Sequence, residues 1–134
     1  MSRPEKSAIS SPSAAEAAGI AAHCRDLLAP LGTVRIRRMF GGHGIYLDDL
    51  FIAIIAAGTL YLKTDATSVE RFRDAGCRPF EYETRDGRHT MSYWSAPEEA
   101  METPEAMAPW ALLASDSARR AAAASAGRQR RRRS

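Results

Sequence analysis

Between Val34 and Lys63 the chain alternates short β-rich runs with turns of two or three residues. Val34 and Ile36 alternate with Arg35 and Arg37, the period-two spacing of a half-buried strand. After a glycine stretch come "GIYL", the turn "DD", then "LFIAIIAA", a turn around Gly58, and "LYLKT". Runs this close together pair with their neighbours, so the spacing predicts an antiparallel meander. "LFIAIIAA" is apolar on both faces, which predicts a central, well-covered strand.

The flanks read as helices. Ser13 followed by Glu16 is a capping-box signal that opens an alanine-rich helix. Ile20, Cys24, Leu27, Leu28 and Leu31 fall on one face of it, and Pro30 and Gly32 end it. Asp65 is placed to cap a second helix that turns Val69 and Phe72 inward and stops at Gly76. "PFEYET", "RDGR" and "HTMSYWS" read as a hairpin. Thr103 and Pro104 start a last helix that buries Met107, Trp110, Leu113 and Ala114, with a kink expected at Pro109. The order α-β(3)-α-β(2)-α, with about five strands, is an α+β layer fold. Residues 1–12 are polar and predict a disordered N-terminus, residues 13–123 the domain, and residues 124–134 a disordered arginine-rich tail.

Charge narrows the function classes. The net charge is +3, yet the last eight residues, "GRQRRRRS", carry five arginines and no acid. Removing those five from 19 basic residues leaves 14 against 16 acidic ones, a net charge of −2 for residues 1–126. A body so nearly neutral has no overall electrostatic grip on nucleic acid, so Arg128, Arg130, Arg131, Arg132 and Arg133 are the candidate nucleic-acid contacts. No apolar run approaches the ~20 residues of a membrane span, and the first residues lack the apolar segment of a secretory signal. Two cysteines make no disulfide framework and fit a reducing cytoplasm.

The stretch "RRMFGGHGIYLDD" raises the question of a ligand loop. Gly42 and Gly44 give G-x-G, but the third glycine of a dinucleotide fingerprint would fall at Leu47, and a strand follows instead of a helix. The helix N-terminus that would hold a phosphate is therefore missing from the reading. The expected role is a bulge or tight turn, with Phe40 anchored in the core and at least one of Gly41, Gly42 and Gly44 at positive φ. Metal spacing is lacking, since His23, Cys24, His43, Cys77 and His89 form no C-x-x-C or H-x-x-x-H pattern. Glu98 and Glu99 suit a helix start, and Asp48 and Asp49 suit a turn. Arg35 and Arg37 are positioned to pair with Glu81 and Glu83 across the sheet, and Arg38 to reach out to water. The ten aromatic residues read as core, not as stacking platforms. No catalytic residue, cofactor or metal ligand is assigned.

"RRMFGGHGIYLDD", "LYLKTD", "RPFEYE" and "MSYWSAPEE" resemble the N-terminal domain of the TfoX/Sxy family, bacterial regulators of competence for DNA uptake. The resemblance runs from about Ala22 to Arg120. Its motif residues are Met39, Phe40, Gly41, Gly42, Gly44, Tyr46, Leu60, Tyr61 and Lys63. It implies a two-layer sandwich of helices on an antiparallel sheet. It further implies a cytoplasmic, non-enzymatic domain acting in transcription regulation through a protein partner. Full-length regulators carry a further C-terminal helical domain, whose place here is taken by the arginine tail. Nucleic-acid association through that tail is the alternative reading.

Overall fold

A computed structural model describes residues 13–39, 41–85 and 87–133, with the side chains at 82–84, 88–91 and 133 left aside. The expected anchoring role of Phe40 and the expected disorder of residues 1–12 fall outside the described residues. Helix α1 (Ala14–Leu28) opens with the capping box. The Ser13 hydroxyl accepts from the Glu16 N–H at 3.1 Å, and Glu16 Oε1 accepts from the Ser13 N–H at 3.0 Å. Both bonds satisfy amides that the first helical turn leaves without partners. Strands β1 (Val34–Met39), β2 (Gly42–Leu47), β3 (Leu50–Ala56) and β4 (Thr59–Lys63) follow, then α2 (Val69–Asp74). The hairpin β5 (Pro79–Thr84) and β6 (Gly87–Ser95) leads to the long helix α3 (Pro104–Arg133).

Six strands form one sheet in the order β1-β2-β3-β4-β6-β5, and every neighbouring pair is antiparallel. The α+β reading holds, with four strands before α2 where three were expected. The reason is the pairing of Met39 with Gly42. That register leaves a tight turn through Gly41, so the run from Val34 to Leu47 folds back on itself as two strands. Gly41 takes φ 79°, as the turn reading required. The bulge lies elsewhere. Ile45 pairs with Ala53 but Tyr46 with Phe51, so the extra residue is Ile52 on β3. It lets Ile52 and Ala53, adjacent in sequence, both reach full burial.

The next two turns also need left-handed backbone, at Asp48 and Asp49 (φ 50° and 68°) and at Ala57 and Gly58 (φ 51° and 83°). Positive φ at both central residues twists a hairpin the way its strands twist. Asp48 adds a hydrogen bond by accepting from the Thr33 N–H at 2.9 Å. From β4 the chain passes through α2 to β5 on the far edge, leaving the inner place to β6. β1 and β5 are thus opposite edges of the sheet, which separates the strands whose Arg35 and Arg37 were expected to pair with Glu81 and Glu83. Arg35 instead meets Asp49 at 3.5 Å.

The core lies on one face of the sheet. Ile45, Leu47, Ala53, Ile55, Leu60 and Leu62 meet Cys24, Leu27 and Leu28 of α1, Phe72 of α2, and Met107, Ala111, Ala114 and Ala118 of α3. Small residues on α3 let it lie close over β3 and β4. Trp110, half-buried, packs edge-on against Phe72 at 5.1 Å. Pro109 sits inside α3 without interrupting it, and the Thr103 hydroxyl caps the helix by accepting from the Ala106 N–H at 3.0 Å. Residues 124–133, expected as a disordered tail, continue this helix. Alanine and arginine are good helix formers, and cations at a helix C-terminus complement its dipole.

One polar cluster ties α3 to the β4–α2 connection. Asp65 accepts from Arg120 twice, Nε at 2.7 Å and Nη2 at 3.0 Å. Asp65 Oδ1 also accepts from the N–H groups of Thr67 and Ser68, and the buried hydroxyls of Ser68 and Ser117 meet at 3.1 Å. The Arg120 hydrogen bond holds the Asp65 carboxyl down at about 2. A carboxylate depressed in the fold stabilises it above the unfolded-state value, and that stability is lost as pH falls through the folded value. Urea midpoints of the wild type should therefore fall between about pH 4 and pH 2 by more than those of Asp65→Asn. Parallel pH profiles would remove the clamp from the account.

The glycines give a second test. A Cβ on Gly42 would run into the carbonyl oxygen of Ile55, whereas Gly41 has open space and a positive φ. Gly42→Ala should cost about 1–3 kcal/mol through forced backbone movement. Gly41→Ala should cost about 1–2 kcal/mol through strain alone. Asparagine, which tolerates left-handed backbone, should restore much of the loss at position 41 and none at 42 in thermal melts.

Candidate functional site

Strand alternation sends every second residue of the sheet away from the helices. On that face β1 presents Arg35, Arg37 and Met39, paired with Tyr46, Gly44 and Gly42 of β2. Gly44 pairs in turn with Ile54, Ile54 with Tyr61, and Tyr61 with Ser95, while Lys63 pairs with Tyr93. The result is an aromatic layer with no helix over it among the described residues. Tyr46 and Phe51 lie 5.1 Å apart, Phe51 and Tyr93 6.1 Å, and Tyr61 meets Phe80 edge-on at 4.9 Å. Tyr46, Phe51, Tyr61 and Phe80 are half-buried, while Tyr93 is 5% exposed beneath its neighbours. Burial pushes the Tyr93 hydroxyl up to about 12.

Two cations lie over these rings. The Arg35 guanidinium is 4.9 Å from the Tyr46 ring centre, and Lys63 Nζ is 5.0 Å from that of Tyr93. Each contact supplies about 0.5–1 kcal/mol at an exposed site. The motif residues now have separate tasks. Gly44 makes room, because a Cβ there would stand 2.6 Å from Met39 Cε and 2.7 Å from Phe51 Cε1. Leu60 turns into the core while Tyr61 and Lys63 turn to the open face. The expectation that the aromatics are core holds for Phe72 and, in part, for Trp94 and Trp110 on the helical side. It fails for Tyr46, Phe51, Tyr61 and Phe80. One signal was available: a strand apolar on both faces, in a fold with helices on one side, leaves an apolar face uncovered.

The other candidates stay apart from this face. Arg38 is exposed, as expected. His23 Nε2 lies 2.6 Å from the Met101 carbonyl and joins α1 to the loop before α3. Cys24 is fully buried, and burial pushes its thiol up to about 11. Burial also raises the Cys77 thiol, the reverse of what an activated nucleophile needs. Among the described residues no three His, Cys, Asp or Glu side chains gather as a metal site. Arg128, Arg130, Arg131 and Arg132 are exposed on the last turns of α3, the helix that packs on the opposite face of the sheet. No described helix is long and apolar enough to cross a membrane.

The comparisons with known proteins agree with the family resemblance. The family model described as TfoX N-terminal domain matches residues 26–118, from within α1 to the last buried turn of α3. The chain is also similar to the DNA transformation protein TfoX1 of Aliivibrio fischeri, at 24% identity over 94 residues. That match covers 70% of this chain but 45% of the relative, so the chain spans less than half of that protein's length. The glycine turn, the six-stranded sheet, α2 and the first half of α3 fall within the matched region, and the chain belongs to the TfoX N-terminal domain family.

Proposed function

We propose that this chain is a non-enzymatic regulatory domain of the TfoX type, working in the cytoplasm, whose contact surface is the open face of the sheet. The observation that carries the reading is the uncovered layer of Tyr46, Phe51, Tyr61 and Phe80, with Arg35, Arg37 and Lys63 beside it. Half-buried rings with cations among them are costly to leave in water and are enriched where proteins bind other molecules. The raised thiol of Cys77 supports a role without covalent chemistry. The name of the TfoX1 relative points to control of DNA uptake as the process.

The test is complementation in a strain lacking the protein, with transcripts of DNA-uptake genes and transformation frequency as readouts. A variant carrying Arg35→Glu, Tyr61→Ala and Lys63→Glu should fold, by circular dichroism, and lose the regulatory effect. Cys77→Ser should keep it. A fully active face variant would move the contact surface elsewhere, and an inactive, folded Cys77→Ser would return the chain to the enzymes.

A second reading rests on the exposed arginines at the end of α3, which carry all of the chain's excess positive charge. They supply affinity for duplex DNA without reading its sequence. Five phosphate contacts set a log–log salt slope no steeper than about −4.5, and changing all five arginines to glutamine should abolish it. Equal duplex affinity in both proteins would exclude the tail.

A further inference from the structure

The open face differs from an ordinary protein-docking patch in where its charges sit. Interface centres are depleted of charged side chains, which gather at the rim. Here Lys63 belongs to β4, an inner strand, and its ammonium lies over the Tyr93 ring within the aromatic layer. Arg35 lies over Tyr46, and Arg37 is two residues further along the same face of β1. Among the described side chains that β1–β4 send to this face, none is a carboxylate. Asp49, in the β2–β3 turn, pairs with Arg35 at 3.5 Å. Residues 1–126 nonetheless sum to −2, and among the described acids Glu98, Glu99, Glu105 and Asp116 belong to the helical segments. On a body that is nearly neutral overall, a cationic, ring-lined face is a local feature that favours an anion.

The rings narrow the anion. A phosphate or an acidic peptide would use the cations and leave the aromatic layer idle. Duplex DNA keeps its base faces stacked inside, where these rings cannot reach them. Single-stranded nucleic acid offers both groups, base faces to stack and phosphates to pair, at every nucleotide. Tyr46 on β2 and Tyr61 on β4 are two strands apart, about 10 Å, a span of one to two nucleotides. Resting on the reading of this face as the contact surface, we propose that it binds single-stranded nucleic acid. Bases stack on Tyr46, Phe51 and Tyr61, and phosphates are held by Arg35, Arg37 and Lys63.

The experiment uses the full chain with its five tail arginines changed to glutamine, which removes the tail's own attraction. Fluorescence anisotropy reads its affinity for a labelled oligothymidylate of about twelve nucleotides and for an abasic strand of equal length. The abasic strand should bind about tenfold more weakly, since it has phosphates but no rings to stack. Tyr61→Ala should lose about tenfold on the oligothymidylate and nothing on the abasic strand, while Tyr61→Phe keeps the affinity. Lys63→Gln should reduce the log–log salt slope by about 0.7. Equal binding of the two strands overturns the proposal in favour of bare charge attraction, and so does Tyr61→Ala without effect. Absence of binding by a protein with an unchanged melting curve overturns it as well. If the face variant then still fails in complementation, the contact surface stands and its occupant is a protein. Sedimentation that shows a dimer lost on Tyr61→Ala would make that occupant a second copy.

Discussion

β3 is apolar on both sides, and the helices reach only one of them. Ala53 and Ile55 point into the core, where α3 crosses β3 and β4 on a row of small residues. Phe51 and Ile54 point the other way, Phe51 against the rings of Tyr46 and Tyr93. A strand of this composition at an edge would invite pairing with another chain. Two strands on one side and three on the other keep its backbone satisfied. What remains unsatisfied is the apolar area of the open face, and the aromatic layer, its cations and its proposed ligand all follow from that.

The glycine stretch serves the same layer. Gly41 turns the chain, Gly42 leaves clearance for the Ile55 carbonyl, and Gly44 lets Met39 and Phe51 close over the strand. Three glycines within four positions therefore meet three different structural needs. At the other end of the sheet the Asp65–Arg120 pair holds the start of α2 to α3. That contact matters because α2 has only six residues, too few to be stable without tertiary support.

Local chemistry was legible wherever neighbours in sequence are also neighbours in space. The capping box at Ser13 and Glu16, the cap at Thr103, the aspartate turn and the buried face of α1 are all set within a few residues. The split between β1 and β2 was harder to read, because a bend and a two-residue hairpin use the same glycines. In the tail two signals oppose each other, because a run of like charges counts against order, while alanine, arginine and the helix dipole count for helix.

By itself the sequence determined the fold class, the helices and most of the strands, the antiparallel meander and the family, since periodicity, caps and turn residues act over a few positions. Which edge each strand occupies was decided by tertiary structure alone. Placing β5 beyond β6 set the two edges apart and separated the strands of the expected arginine–glutamate pairs. Tertiary structure also decided which side of the sheet stays open. A period of two sorts residues onto two faces without saying which face the helices will cover, and only packing resolves it. For this reason the aromatics read as core in the sequence form the candidate site in the fold.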